Sequence, residues 1–444
     1  MLKDFAISIV RSLREAGHQA YLVGGCVRDL ILGREPADYD VTTDATPDEV
    51  MRLFPRTYAV GAQFGVVLVP LPLHLVSKQE NDAVEVATFR SDVGYSDGRH
   101  PDQVRFSRDP REDVERRDFT INGLLLDPIK TEVLDFVGGR QDIEARILRT
   151  IGAPELRFAE DKLRMLRAVR FAARFDYTIE PATFAAIQEL APQIQQVSRE
   201  RARDELSKML TEGHARRAFL LLDQTGLLRQ VLPEISAMKG VEQPAQFHPE
   251  GDVFVHTLLL LDKLPPASPV TLAWGALLHD VGKPPTFRVA ERIRFDGHVE
   301  VGVKMAQEIL HRLRFSNEDS EQILALVANH MKFAHVQQMK DSTFKKFVRM
   351  RDFEEHLDLH RLDCLSSHGD LTSYNFTRQR VAAIPPDAIR PAPLLTGDDL
   401  IAQGYQPSPL FKQILSAVED EQLEGRLHNR EEALGFVRAQ FPLP

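Results

Sequence analysis

The chain runs to 444 residues with a net charge of −10, 43% hydrophobic and 27% charged residues. That length exceeds one ordinary core and predicts two to four domains, and the composition excludes a disordered chain. The acidic total also excludes a protein coated all over by nucleic acid, so any such binding has to come from a local basic patch.

The first element, "MLKDFAISIVRSLREAG", mixes Asp4, Arg11 and Glu15 into an amphipathic helical pattern, which a signal peptide would not show. No apolar run approaches the length needed to span a bilayer. The two cysteines, Cys26 and Cys364, lie far apart, which fits a reducing cytoplasm and neither a disulfide framework nor a cysteine zinc site. No obligatory protein partner is evident.

The chain then divides into four blocks. Residues 1–140 read as a helix and then short β-rich runs, such as "FGVVLVPLPLHLV" and "DAVEVATFR". Residues 141–217 become helical and arginine-rich, and 218–378 stay helical and hold most of the histidines. In 379–444 the prolines of "IPPDAIRPAP" break the pattern before a helical tail. The predicted class is α+β: a small mixed sheet with helices, followed by all-α segments. Neither GxxxxGK[ST] nor GxGxxG occurs, so the two commonest phosphate-binding loops are absent.

The stretch "YLVGGCVRDLILGREPADYDVTTDA" carries the first chemistry. "QAYLV" reads as a strand, and Gly24-Gly25 lets the next turn bring bare backbone N–H groups toward a phosphate. "CVRDLIL" starts a helix whose N-terminal dipole favours the same anion, with Arg28 as a charged clamp. If "DYDVTT" is a strand, Asp38 and Asp40 leave one face and their carboxylates converge. Converging carboxylates repel unless cations lie between them, and Mg²⁺ is the expected occupant. A DxD pair alone also occurs in solvated turns; its place after GGxVRD is what makes it specific. Glu85, in the strand "VEVATFR", is a candidate third carboxylate and equally a half-exposed strand residue.

Further on, Ser91–Glu115 is polar and rich in glycine and proline, and is expected to be a mobile loop beside the site. "EDKLRMLRAVRFAARF" (Glu160–Phe175) places Arg164, Arg167, Arg170 and Arg174 on one helical face, with Leu163, Leu166, Val169 and Ala173 opposite and Phe171 among the arginines. Residues 162–174 hold five cations and no anion, which points to phosphate or RNA contact for part of the row rather than a solvated face alone.

In the helical body, His256 is followed by His279-Asp280 in "WGALLHDVGKPPTF", His298 in "FDGHVEVG", His330 in "LVANHMKF" and Asp363 in "LHRLDCLSSHGD". Imidazoles and carboxylates dispersed over helices and converging inside a bundle suit a divalent transition metal. Any one of these histidines alone reads as structural.

The N-terminal motifs resemble those of the class II tRNA CCA-adding enzyme and bacterial poly(A) polymerase family, within the polymerase-β superfamily. After the glycine–DxD stretch, "RRDFTINGLLLDP" (Arg116–Pro128), "VLDFVGGRQDIEARILRTIG" (Val133–Gly152) and Glu160–Phe175 recur in the family's order. The resemblance is dense over the first 215 residues. It implies a nucleotidyltransferase head over 1–140, a helical neck over 141–217, a helical body over 218–378 and a tail over 379–444. It implies that Arg117, Asp118 and Asn122 hold the sugar of the incoming nucleotide, although Asn122 also reads as a helix or turn cap. Asp161 and Arg164 would read its base, with Arg167 and Arg170 contributing nucleotide contacts; otherwise Asp161 and Arg164 are an i, i+3 surface pair. A carboxylate accepting from the exocyclic amine of C or A, beside a guanidinium donating to ring acceptors, would reject guanine and uracil. The implied activity is template-independent addition of C and/or A to the tRNA 3′ end from CTP and ATP. Alternatives are poly(A) tailing and, from a different class, protein uridylylation. The Ser91–Glu115 region is not shortened, which leans toward addition of the final A. The body resembles the HD metal-dependent phosphohydrolase superfamily, which implies His256, His279, Asp280 and Asp363 as core ligands and His298 and His330 as an extension to a second metal. The tail departs from a PGP-like family turn at Ser408 and at Phe411-Lys412.

Overall fold

A computed structural model describes residues 1–59, 64–72, 83–95, 98, 101–244, 246 and 251–443. The chain divides into two units, Met1–Ser236 and Ala237–Pro444.

In the first unit, Ala6, Ile9, Val10 and Leu13 form the buried stripe of helix α1 (Leu2–Glu15). That stripe packs on strands β1 (Ala20–Val23) and β2 (Asp40–Thr43). Between them runs α2 (Gly25–Ile31), and after them α3 (Pro47–Leu53), capped by a Thr46–Glu49 box. The sheet is completed by β3 (Val66–Pro70), β4 (Ala83–Thr88), β7 (Leu124–Asp127) and β8 (Glu132–Asp135), in the order β3-β4-β2-β1-β7-β8. β2 and β4 run parallel while the other neighbours are antiparallel, so the sheet is mixed as expected. Two registers position the acidic residues: Val23 lies opposite Asp40, and Asp40 opposite Glu85.

Ser91–Glu115 corrects the loop expectation. β5 (Arg90–Val93) pairs with β6 (Gln103–Phe106), and α4 (Pro110–Glu115) comes next, its first turn capped by the Asp109 carboxylate. Cross-strand pairing of Arg90–Val93 with Gln103–Phe106 and a capping Asp before Pro outweighed the polar composition. Residues 96–97 and 99–100 of that segment, and 73–76 of "FGVVLVPLPLHLV", lie outside the described residues.

Helices α5 (Gly139–Ala145), α6 (Pro154–Glu160), α7 (Leu163–Phe175), α8 (Pro181–Leu190), α9 (Arg199–Thr211) and α10 (Ala215–Gln224) complete most of the first unit. α7 is buried on nearly every side, Phe171 and Arg170 included, because α9 and α10 pack on it. The two-faced pattern expected for it therefore holds only for Arg164, Arg167 and Arg174, which keep partial exposure.

The second unit is helical apart from a two-stranded ribbon, Arg288–Val289 with Ile293–Arg294, among the described residues. Its tail has a cluster of its own around Leu400, Ile414, Val418, Ala433 and Val437. No helix among the described residues is long and apolar enough to cross a membrane.

Candidate active sites

The glycine turn begins where β1 ends. Gly24 takes φ +79°, a conformation other residues adopt only with strain, and a Cβ there would stand 3.2 Å from Arg117 Nη1. Gly24 comes directly after Val23, so the turn shares a sheet edge with Asp40. Asp40 and Glu85 are neighbours across the parallel β2–β4 pair, and Asp38 precedes the strand by two residues. Burial pushes the Asp40 carboxyl up to about 7, and the charges of Glu85 and Asp38 add to it against a pull from Arg117. The charges of three carboxylates therefore add at one end of the sheet, opposed only in part by Arg117. That donor set fits a hard, oxygen-seeking cation.

Arg28 is not an outward clamp. It is 4% exposed, donates to Asp29 Oδ1 (2.9 Å) and to Asn122 Oδ1 (2.5 Å), and lies 4.3 Å over the Phe175 ring. Asn122 closes the short 3₁₀ turn Thr120–Asn122 and donates from Nδ2 to Asp118 Oδ1 at 3.1 Å. Asp118 in turn receives Arg167 Nε and Nη2 at 2.9 and 2.7 Å. Burial alone would raise the Asp118 carboxyl, but Arg167, the Asn122 amide and Arg164 outweigh it and hold it at about 2. The four residues form one hydrogen-bonded chain, Arg28–Asn122–Asp118–Arg167, buried except at Arg167.

Arg117 is held by Asp113, which is fully buried and also receives Arg116 and the Thr42 hydroxyl. Arg117 Nε is buried without a hydrogen-bond partner among the described residues. Asp113 was not among the sequence candidates; "REDVERRD" places it three and four residues before the two arginines, a helical spacing that could have found it.

Asp161 and Arg164 do not pair with one another. Asp161 accepts both Arg201 Nη1 (3.2 Å) and Nη2 (2.7 Å), while Arg164 Nη1 donates to Glu160 Oε2 at 2.5 Å and Nη2 to the Arg116 carbonyl at 3.2 Å. Arg170 donates to Glu205 at 2.7 Å and Arg174 meets Glu212 at 3.4 Å. The arginine row of α7 is thus answered by acids from other elements, which its own segment lacks. Arg201 and Glu205 in α9 were missed because nothing in "SRERARDEL" distinguishes an inward charge from a solvated one.

In the second unit, six ligand-type side chains converge from five places in the chain. The helix Val253–Asp262 supplies His256; His279 and Asp280 follow Val270–Leu278; His298 opens the helix His298–Arg312; His330 follows Asn317–Asn329; Asp363 comes from Phe353–Ser366. His256, His279 and Asp363 offer atoms within 4.8 Å of one another, and so do Asp280, His298 and His330. Gly282 is required for the approach, since a Cβ there would stand 2.1 Å from the His298 carbonyl.

His279, His298 and His330 each direct Nδ1 at the carbonyl three residues earlier: Ala276 (2.8 Å), Phe295 (3.0 Å) and Val327 (2.7 Å). That bond places the proton on Nδ1 and leaves Nε2 as the lone pair facing inward. His298 Nε2 and His330 Nε2 are buried with no hydrogen-bond partner among the described residues. Burial pushes the His330 imidazole down to about 4, His279 adding to the effect. Burial would raise Asp280, yet His279, Lys283 and His256 hold it well below the carboxylate range. Imidazole nitrogens without a hydrogen-bond partner among the described residues, set beside buried carboxylates, are the donor set of a transition-metal site, and these residues fit one.

Comparison with known proteins agrees with this division. Residues 20–149 match the poly A polymerase head domain, 176–239 the probable RNA and SrmB-binding site of polymerase A, and 252–366 the HD domain. A CCA-adding enzyme of Geobacillus stearothermophilus is 44% identical over 222 residues, 50% of this chain and 53% of that protein. That of Bacillus subtilis is 43% identical over 226 residues, 51% and 55% of the two chains. The matched stretch thus spans about half the length of these curated relatives. A crystal structure of the Bacillus stearothermophilus CCA-adding enzyme in complex with CTP superposes with TM-score 0.75 and 29% identity over 98% of this chain and 97% of that one. The Thermotoga maritima enzyme complexed with tRNA, 20% identical, shares the fold at TM-score 0.59 over 98% and 94%. By domain content and fold, the chain is similar to the CCA-adding enzymes, with a poly A polymerase head match followed by RNA-binding and HD matches.

Proposed function

We propose that the chain lengthens tRNA 3′ ends without a template, adding C, A or both from CTP and ATP, and that its histidine centre hydrolyses phosphate esters. The observation that carries the first part is the carboxylate cluster: Asp40 beside Glu85 in register, with Asp38 upstream, at the end of the glycine turn. In the reaction the RNA 3′-hydroxyl oxygen bonds to the α-phosphorus while the bridge to the β-phosphate breaks, releasing pyrophosphate. Asp38, Asp40 and Glu85 would hold Mg²⁺, which when bound supplies Lewis acidity toward the phosphate oxygens.

The rest is the work of this chain's own side chains. Gly24 and Gly25 bring backbone N–H groups to the triphosphate, and Arg117 adds a donor that no described residue occupies. Asn122 and Asp118 meet the sugar, oriented by Arg28 and Arg167. Asp161 accepts from the amine of C or A and Arg164 donates to the ring, each already held by Arg201 and Glu160. Preset geometry of this kind lowers the ordering cost at binding. At the second site His256, His279, Asp280 and Asp363, extended by His298 and His330, would hold a divalent transition metal, which when bound would supply Lewis acidity for hydrolysis of a phosphate ester. Damaged or 2′,3′-cyclic phosphate RNA ends are the substrates most consistent with the first activity.

Purified protein incubated with tRNAs ending before CCA, after CC and complete, with each labelled nucleotide separately, tests this. C and A incorporation stopping at the complete end supports it; runs of A on any RNA end favour poly(A) polymerase, the reading that the head-domain match also allows. Label in a protein rather than in RNA overturns both.

A further inference from the structure

The histidine centre has a neighbour that its metal ligands do not explain. Gln243 is 4% exposed, and its side chain meets Lys283, whose Nζ donates to Gln243 Oε1 at 2.6 Å. The same ammonium lies 2.7 Å from Asp280 Oδ2, inside the metal-ligand set, and 5.4 Å over the Phe295 ring. A lysine only donates, so the amide has to turn its oxygen to Lys283 and its nitrogen away. Gln243 Nε2 is then a buried donor, and it has no partner among the described residues. Leaving such a group unsatisfied is costly, so its persistence beside a catalytic centre calls for a reason.

The backbone around Gln243 is built for placement. Its N–H donates to the Gly251 carbonyl at 2.7 Å, Val253 N–H donates to the Val241 carbonyl at 3.0 Å, and Glu242 bridges Asp252. Asp252 then caps the helix that carries His256. One short ladder therefore fixes both a metal-type ligand and the amide. Lys283 is set equally firmly by its place three residues after Asp280.

We propose that Gln243 and Lys283 form a phosphate-oxygen subsite of the histidine centre, in which the free Nε2–H and the lysine's remaining N–H receive a non-bridging oxygen of a phosphate ester. This rests on the reading of that centre as a phosphohydrolase. A pair of buried donors, one neutral and one cationic, matches an anionic tetrahedral group and offers an apolar ligand nothing. Asp280 and Gln243 each take one N–H of Lys283, which fixes the ammonium and leaves its third N–H for a ligand.

The test titrates inorganic phosphate into Mn²⁺-loaded protein by calorimetry, with metal content measured in parallel. Gln243→Met, which keeps the volume and removes the donor, is expected to weaken phosphate about ten- to hundredfold with metal stoichiometry unchanged. Gln243→Glu, which keeps the shape and supplies only acceptors, is expected to remove phosphate binding while melting and metal content stay at wild-type values. Phosphate binding unaltered in both loaded variants overturns the subsite while leaving the metal centre standing. Loss of metal along with phosphate assigns Gln243 to the fold of the centre and also overturns it. A wild-type protein that takes up no Mn²⁺ overturns the phosphohydrolase reading and the subsite together.

Discussion

The two candidate sites are both made of ionisable groups, yet they stand in opposite electrostatic states. At the end of the mixed sheet, carboxylates face carboxylates and Asp40 is pushed up to about 7. In the helical unit, carboxylates face imidazoles and an ammonium, and Asp280 and Asp363 are held low although burial opposes it. The first site has too little positive charge of its own, Arg117 notwithstanding, and leaves that role to a bound cation. The second is nearly neutralised internally and offers nitrogen lone pairs instead. Hard oxygen donors and softer imidazoles select different ions, so a single chain can keep two metal chemistries apart without any exchange between them.

The sharpest way to break this division is to remove one carboxylate from each site. Asp40→Ala should lower nucleotide addition by roughly 10³-fold or more, the scale of several kcal/mol of lost charge stabilisation, and leave phosphate-ester hydrolysis unchanged. Asp280→Ala should do the reverse, as read by labelled nucleotide incorporation and by release of phosphate from a 2′,3′-cyclic nucleotide. If both variants lose both activities while their melting curves stay cooperative, the two sites are not independent.

Next in size comes the hydrogen-bonded chain of the first unit. Arg167→Ala leaves the Asp118 carboxylate, 8% exposed, without its main cation. The expected loss is about 3 kcal/mol of stability by denaturant titration, with Asp118→Asn in the same background restoring part of it. A cost below about 1 kcal/mol would mean that Asn122 and the backbone alone hold Asp118.

Much of this was legible in the sequence, for reasons that differ by element. The strand–GG–helix and DxD elements were readable because glycine freedom and strand alternation are local rules, and Asp40–Glu85 adjacency came with the pairing of "VEVATFR" and "DYDVTT". The order H…HD…H…H…D named every residue that converges in the fold. What could not be read were the partners. Arg28 looked like a free cation because Asn122 is 94 residues away in sequence, and the arginines of α7 looked unpaired because Asp118, Glu205 and Glu212 belong to other segments. Composition misled at Ser91–Glu115, where polar residues lie on a hairpin and a capped helix. Buried donors without a described partner, such as Gln243 Nε2 and Arg117 Nε, exist only in three dimensions.

The opposite pKa shifts give opposite pH profiles in metal-free protein. Asp40, titrating near 7 when folded and near 4 when unfolded, binds its proton more tightly in the native state, so its contribution is present at low pH and lost as pH rises through about 7. Asp40→Asn should therefore gain about 2 kcal/mol over wild type at pH 8, allowing for partial exposure, and nothing at pH 4. Added Mg²⁺ should erase the gain. His330 behaves the other way: held near 4 when folded, it costs stability as pH falls from 6.5 toward 4, because the unfolded chain takes the proton first. Equal profiles for wild type and Asp40→Asn would show that neither burial nor the charges of Glu85 and Asp38 raise Asp40.

The smallest expected effect separates holding a group from using it. Arg201 donates to both oxygens of Asp161 and keeps that carboxylate in one orientation, yet it is a quarter exposed and solvent can replace part of its charge. Asp161 Oδ1 also accepts the Leu163 N–H, while Oδ2 takes only Arg201 Nη2 among the described residues and keeps a second lone pair for a base amine, so Arg201 need not leave for a nucleotide to be read. Arg201→Ala should then raise KM for CTP and ATP a few-fold with kcat within about twofold, since only ordering before binding is lost. Arg201→Lys should recover less than half of it, because one ammonium cannot bridge two oxygens in the plane of the carboxylate. Asp161→Ala, by contrast, should relax the choice of base itself and admit UTP and GTP. If Arg201→Ala admits them to the same degree, the guanidinium is part of the reading surface rather than its support, and the contrast between a reading pair in α6–α7 and a bracing residue in α9 falls.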